Sequence, residues 1–423
     1  MARIAPVSSR VVAPYTEIAQ CRISGSQSLV PVLSLGEQCL TGIFPKAPDA
    51  PVSCGPLDVV LCPESGLLQL RQSYRPEELY GAHYGYRSSL NASMVRHLAQ
   101  TATRLERRTQ LKAGDLVLDI GSNDATLLKA YQSAGLVRIG VDPIGEAFRH
   151  YYTEGLELVP DFFTAEGFLQ AFGNRQAQVV TSIAMFYDLE HPMDFVRDVE
   201  RVLADDGLWH FEQSYLPSML RTHGYDAICH EHLEFYSFRV VEALLAHAGL
   251  RVVDVELNEI NGGSFAVTAC KMQAPYVSNW PVIGALLRRE AAMDLDTPAP
   301  YVEFAGHVER HRIALRDLLD ELVADGKAIC GYGASTKGNV LLQYCGITPQ
   351  HLRCMAEVNQ DKWGAFTPGT GIPIVSEAEA KALHPDYFLV LPWHFKAGIL
   401  ERESAYRAAG GKFIFPLPEI TIV

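Results

Sequence analysis

The chain has no apolar stretch of membrane-spanning length, and Met1 to Arg10 lacks the apolar core of a secretory leader. Both absences predict a soluble, cytoplasmic protein. An excess of positive charge is missing too. With 36 Lys plus Arg against 49 Asp plus Glu, the formal net charge is −13, which argues against nucleic acid or a membrane surface as a partner and leaves room for a local basic pocket. Nine cysteines scattered over 423 residues do not make a disulfide framework, as befits a reduced compartment. No low-complexity tract occurs, and no internal repeat beyond two α/β units.

What is present is ordinary in bulk: 48% hydrophobic and 20% charged residues, in a chain long enough for two or three cores. The stretch that organises it is Leu116-Val-Leu-Asp-Ile-Gly-Ser-Asn-Asp-Ala-Thr-Leu-Leu-Lys-Ala-Tyr131. Leu116, Val117, Leu118 and Ile120 form an apolar run ending at Asp119 and Gly121, the pattern of a buried parallel strand entering a tight turn. Leu127, Leu128 and Tyr131 then recur at helical spacing. Strand, glycine turn and helix start form the nucleotide-binding opening of an open α/β sheet, whose ligands lie beyond the carboxyl ends of the strands. The turn lacks the G-x-G-x-x-G of dinucleotide binders. About 20 residues on, a second strand ends at Asp142, placed to accept both hydroxyls of a ribose.

Residues 1–75 are rich in Pro, Gly and Ser, are short of helical periodicity, and hold Cys21, Cys39, Cys54 and Cys62. Cys21-Arg-Ile-Ser-Gly25 and Cys62-Pro-Glu-Ser-Gly66 have the outline of paired zinc knuckles, C-x-x-C-G, with Ser24 and Ser65 where the second ligands belong. Neutral hydroxyls are poor zinc ligands, and Cys39 and Cys54 lack knuckle spacing, so zinc is doubtful. Next, Leu79-Tyr-Gly-Ala-His-Tyr-Gly-Tyr-Arg-Ser88 sets Tyr84 and Tyr86 among glycines. Such a loop either lies over a ligand and offers phenolic hydroxyls, or is a hinge whose aromatics pack.

Residues 76–275 read as one α/β domain. Val159-Pro-Asp-Phe-Phe163 falls at an edge of its cofactor pocket, and Met185-Phe-Tyr-Asp-Leu189, directly after the apolar strand 177–184, faces the cofactor's reactive end. The most informative polar cluster is Tyr225-Asp-Ala-Ile-Cys-His-Glu-His-Leu-Glu-Phe-Tyr-Ser237. Its H-E-H lacks the i, i+4 spacing of a zinc helix, which favours a general base with an orienting carboxylate over a metal site; histidines without chemistry are the bland alternative. Residues 276–423 bring a long amphipathic helix over 298–323, then a second α/β unit at Ala328-Ile-Cys-Gly-Tyr-Gly-Ala-Ser-Thr-Lys-Gly-Asn339. Strand, glycine turn, hydroxyls and Lys337 at a helix start suit a diphosphate, though glycine turns are common in α/β domains. Trp393 and His394 follow another buried strand.

In chain order, the two knuckles, D-I-G-S-N-D, M-F-Y-D-L, E-Q-S-Y-L-P, C-H-E-H-L-E-F-Y-S, N-G-G-S-F, G-Y-G-A-S-T-K-G-N, P-G-T and L-P-W-H-F resemble one family across nearly the whole chain. It is the S-adenosylmethionine (SAM)-dependent sugar C-methyltransferases of deoxysugar biosynthesis, which act on nucleotide-linked 4-keto-6-deoxyhexoses in the tetronitrose, mycarose and noviose pathways. The resemblance implies an α/β protein of three parts: a small zinc-knuckle-like domain (1–75), a class I methyltransferase Rossmann-like domain (76–275) and a Rossmann-like substrate-binding domain (276–423). It implies SAM held by Asp119, Gly121, Ser122, Asn123 and Asp142, with Phe163, Met185 and Phe186 beside it. By the same resemblance the nucleotide sugar would meet Tyr84, Tyr187, Tyr225, Ser335, Lys337, Asn339, Trp393 and His394.

The chemistry so implied is removal of a proton next to a ketone, then attack of the enolate carbon on a sulfonium methyl. His232 is the expected base, with Glu231 setting its tautomer. Tyr86, Tyr236 and His230 are the expected oxyanion donors. A positioned base is worth about 10²–10⁴-fold and an oxyanion donor about 10²–10³-fold. Relatives place a Tyr at the position of Cys229 and a His near Asp188, which leaves C3 and C5 both open as the methylated carbon. O-methylation of a small metabolite and a non-catalytic scaffold are the rival readings.

Overall fold

Strands covered on both faces must be apolar throughout, and two runs of that kind each seed a parallel sheet. The computed structural model describes residues 14–80 and 87–423, so Tyr84 and Tyr86 lie outside the described residues. Leu116–Ile120 is buried at every position and sits inside a seven-stranded sheet. The order across that sheet is Leu250–Asn258, Ser264–Lys271, Leu203–Ser214, Ala177–Ile183, Leu116–Ile120, Val137–Val141 and Leu156–Val159. Neighbours run parallel except Ser264–Lys271, which is antiparallel to both its partners. The chain winds outward from Leu116–Ile120, then crosses back to Ala177–Ile183 on the other side. That reversal is a topological switch point, and the ligand crevice of such a sheet opens at the strand ends beside it.

The C-terminal sheet repeats the plan in the order Ile374–Ser376, Met355–Glu357, Ile329–Tyr332, Tyr387–Val390, Lys412–Phe415 and Thr421–Ile422, with only the last strand antiparallel. Its switch point lies between Ile329–Tyr332 and Tyr387–Val390. The long helix spans Ala299–Ala324, one residue off the expected 298–323, and buries Tyr301, Phe304, Val308, Leu315 and Leu319. The architecture is the α/β, twofold Rossmann-like one that the motifs imply. No helix among the described residues is long and apolar enough to cross a membrane.

The N-terminal strands Val30–Cys39, Cys54–Cys62 and Leu67–Leu70 form an antiparallel sheet whose fourth strand is Glu234–Phe235, taken from the H-E-H segment. Glu234 pairs with Gln69 and Phe235 with Leu68, and the Leu70 N–H donates to the Leu233 carbonyl at 2.8 Å. A reading of consecutive domains does not foresee this exchange. The same sheet contributes to two apolar cores. One is shared with residues 216–235 and the C-terminal sheet; the other surrounds the seven-stranded sheet and takes in Cys21, Cys62 and Leu67. The cysteines also depart from expectation. Seven are free and buried, but Cys39 and Cys54 face each other across neighbouring strands and form a disulfide.

Phe235 is 5% exposed in the strand that joins the H-E-H segment to the N-terminal sheet. Phe235→Ala should cost about 3–5 kcal/mol, read as a lower midpoint in denaturant unfolding followed by tryptophan fluorescence.

Candidate active site

The crevice of the seven-stranded sheet is built from its tight turns. Gly121 closes the first strand at φ +73°, a left-handed turn that residues with a Cβ avoid. A Cβ there would also lie 2.9 Å from the Met185 Cγ, so these two residues meet across the switch point. Asp119 is buried and accepts a 2.6 Å hydrogen bond from the Thr181 hydroxyl. Burial lifts its pKa to about 7; the Thr181 bond opposes this and the nearby Asp142 adds to it. Asp142 accepts from the Asn123 N–H at 2.8 Å and the Ile144 N–H at 2.9 Å, and burial still raises its pKa. The Ser122 hydroxyl lies 2.6 Å from that of Tyr152, which also donates to the Asn123 carbonyl.

Two buried carboxyl groups with raised pKa values, at the ends of adjacent strands, suit a ligand that brings hydroxyl donors and positive charge. SAM, with its ribose hydroxyls, ammonium and sulfonium, answers that description. Asp119, Gly121, Ser122, Asn123, Asp142 and Met185 converge on this crevice. Phe186 does not. It is fully buried, stacked on Tyr236 at 5.2 Å and edge-on to Trp209 and Phe211, because successive residues after the strand turn to opposite sides. Phe163 packs edge-on against Phe195 at 5.7 Å, also on the core side. Beneath the crevice lies a set of residues the motifs do not flag: His97 Nε2 is 2.8 Å from a Glu212 carboxylate that also accepts from Asn258 Nδ2. Only the position of Glu212 in E-Q-S-Y-L-P hinted at it.

The H-E-H segment is sorted by its neighbours. His232 Nδ1–H donates to the Ala227 carbonyl at 2.7 Å, and its ring lies 4.3 Å from that of Tyr187. The tautomer is therefore set by a backbone carbonyl and not by Glu231, which corrects the sequence expectation. Nε2 makes no hydrogen bond to any described residue. Burial and then the charge of Lys337 take the His232 pKa to about 3, so the ring is neutral at physiological pH. The Glu231 carboxyl instead turns toward Gly42, where an added Cβ would come within 2.5 Å of Oε1. Burial pushes it up to about 7, with Lys362 opposing.

His230 and Tyr236 are not placed as oxyanion donors. His230 is fully buried against Tyr74 and its Nε2 contacts the Gln38 carbonyl, which ties the segment to the N-terminal sheet. The Tyr236 hydroxyl is buried without a partner among the described residues. Next to the segment, burial raises the pKa of Asp188 well above its ordinary value, Glu231 adds to the rise, and a hydrogen bond with Tyr80 opposes it.

Between the two Rossmann-like sheets runs a cleft whose polar lining includes Ser214, Thr222, Asp226, Asn261, Lys337 and Trp393. Trp393 donates its indole N–H to Asp226 at 2.8 Å, and Lys337 Nζ donates to the Asn261 carbonyl at 3.1 Å. His394 is taken to about 3 by burial and then Lys337, and its Nδ1 has no partner among the described residues. Of the diphosphate candidates only Lys337 faces this cleft. The Ser335 hydroxyl caps the helix Thr336–Tyr344 by accepting from Gly338 N–H, and Asn339 is buried with its Nδ2 on the Thr41 carbonyl. Tyr225 is likewise committed, to His311 at 2.9 Å and Cys345 at 3.3 Å. Asp226 and Lys362 were missed. Asp226 sits inside a quoted motif, whereas nothing marks Lys362, whose ammonium donates to the Ala334 carbonyl of the glycine turn and lies 4.3 Å from the Phe44 ring. In the N-terminal sheet, Cys21 and Cys62 come together with Ser24 and Ser65. Two thiols and two hydroxyls do not fit zinc.

Three family models match: "Putative zinc binding domain" over residues 21–80, "Methyltransferase domain" over 90–255 and "C-methyltransferase C-terminal domain" over 259–418. The C-methyltransferase NovU of Streptomyces niveus is 34% identical over 409 residues, which cover 96% of this chain and 97% of that protein. Among solved structures, the plantazolicin methyltransferase BpumL in complex with SAH is 13% identical, with a TM-score of 0.35 over 44% of this chain and 87% of that one. The mitomycin 7-O-methyltransferase MmcR is 18% identical, with a TM-score of 0.34 over 43% and 55%.

Asp142→Asn keeps the size of the side chain and replaces an acceptor by a donor. SAM affinity should fall about 10–100-fold, the worth of one charge-assisted hydrogen bond or two, measured by titration calorimetry.

Proposed function

This chain belongs to the SAM-dependent sugar C-methyltransferase family, and from that premise we propose that it methylates a carbon next to the ketone of a nucleotide-linked 4-keto-6-deoxyhexose, with His232 as the base. The resemblance favours thymidine diphosphate as the carrier. The observation that carries the reading is the neutral His232 ring, its Nδ1–H held by Ala227 and its Nε2 free of any described partner, in the gap between the two Rossmann-like sheets.

SAM supplies an electrophilic methyl group. The chain's own residues do the rest. His232 Nε2 takes the proton from the carbon next to the ketone, and the enolate so formed is held in line with the methyl by the cleft, where alignment is the main requirement. Lys337 and Lys362 flank the glycine turn after Ile329–Tyr332 and supply positive charge for a diphosphate. Lys337 also depresses the basicity of His232, so an anionic group that offsets its charge strengthens the base when the correct substrate arrives. Trp393, pinned by Asp226, walls the cleft where the sugar would lie.

A second reading has a specific observation behind it. The Glu231 carboxyl, raised to about 7, sits in the range that suits a general base near neutral pH. Incubation with a thymidine-diphosphate 4-keto-6-deoxyhexose in D₂O separates the two. His232→Asn should abolish both deuterium exchange next to the ketone and methyl transfer, a loss of about 10²–10⁴-fold, while Glu231→Gln retains measurable exchange. The reverse pattern assigns the base to Glu231. No exchange by the wild type across several keto sugars rules out the substrate class.

Lys337→Met tests the electrostatic coupling. Protonation inactivates the base, and removing a neighbouring cation makes protonation easier, so the His232 pKa climbs from about 3 toward the ordinary 6.5. The acid limb of the kcat/KM profile should therefore move to higher pH, with KM for the nucleotide sugar raised as well.

A further inference from the structure

The two knuckles share one backbone. The Gly25 N–H donates to the Cys21 carbonyl at 2.9 Å, and the Gly66 N–H donates to the Cys62 carbonyl at 2.8 Å. Cys21 is 2% exposed and Cys62 fully buried, and each sulfur faces the serine of the opposite knuckle: Cys21 Sγ to Ser65 Oγ at 3.4 Å, Cys62 Sγ to Ser24 Oγ at 3.6 Å. Four side chains thus close on one point from the positions that four zinc ligands would take.

Their chemistry is wrong for zinc. Serine hydroxyls stay protonated at neutral pH and are weak ligands, and among the described residues no cluster of three or more His, Cys, Asp or Glu could hold a metal ion. Arg22 follows Cys21 directly, and its guanidinium is buried, 3.6 Å from the buried Glu234 carboxylate and bonded to the Leu70 and Gln72 carbonyls. The pair ties the first knuckle to the strand that follows the H-E-H segment.

We propose that this knuckle pair works without metal, its two thiols and two hydroxyls holding one another where the cation would sit, and that its backbone is still that of a four-thiolate site, so that two substitutions restore zinc. The full-length protein, purified without chelator, tests both halves by metal analysis, cobalt(II) titration and thermal melting. The wild type should carry far less than one zinc per chain and melt at the same temperature with and without a chelator. The Ser24→Cys/Ser65→Cys variant should carry about one zinc per chain, show the thiolate-to-cobalt charge-transfer band, and melt lower once chelated. Stoichiometric zinc in the wild type, or a chelator-sensitive wild-type melt, overturns the metal-free site. A double variant with wild-type circular dichroism that takes up neither zinc nor cobalt overturns the conserved backbone. Should the double variant not fold, Ser24→Cys alone supplies three thiolates, and its failure to show any thiolate–cobalt band would overturn the same half.

Discussion

The backbone pairing of Glu234 and Phe235 with Gln69 and Leu68 carries the H-E-H segment out of the methyltransferase sheet and into the N-terminal one. Buried backbone groups need partners, and a segment wedged between two domains has few to choose from. Once this strand is added, the rest is constrained. Leu233 N–H bonds the Tyr187 carbonyl, His230 reaches Gln38, and Glu231 fits only because residue 42 is glycine. His232 keeps Nε2 free of any described partner and, unlike the fully buried ring of His230, is not wholly enclosed.

Burial explains the electrostatics. Domains that close over polar side chains remove water from them, and burial then favours whichever form is neutral. Asp119 and Glu231 are raised while His210, His230, His232 and His394 are lowered, each with burial as the largest cause. Lys337 adds a directed term, since its charge also bears on His232, His394 and Asp226. A cation on the C-terminal domain is thereby coupled to a histidine on the central one, with no conformational change required.

Much of this was legible from the sequence, because strand periodicity and glycine turns are local signals. The run 116–120 with Gly121, the acidic end at Asp142 and the strand–turn–helix at 329–339 needed no knowledge of distant residues. Side-chain direction was less legible. Phe186 follows Met185 on the same loop, yet one faces the crevice and the other joins the aromatic core. Long-range pairings were not legible at all: Asn339 to Thr41 and Trp393 to Asp226 depend on which domains meet, and no spacing rule encodes that. At the helix start of 336–344 the hydroxyl of Ser335 goes to a local use, capping its own helix.

The borrowed strand also bears on how the chain folds as it is made. Leu67–Leu70 pairs with Cys54–Cys62 on one side only, until Glu234–Phe235 arrives on the other. Roughly 160 residues separate the two, and at about 5–20 residues per second the ribosome needs on the order of ten seconds or more to supply them. Through that interval the nascent N-terminal sheet presents an unpaired edge, the kind of surface that chaperones bind and that aggregates form upon. The same dependence makes the N-terminal unit a poor candidate for expression as a separate fragment, because its last strand belongs to another domain.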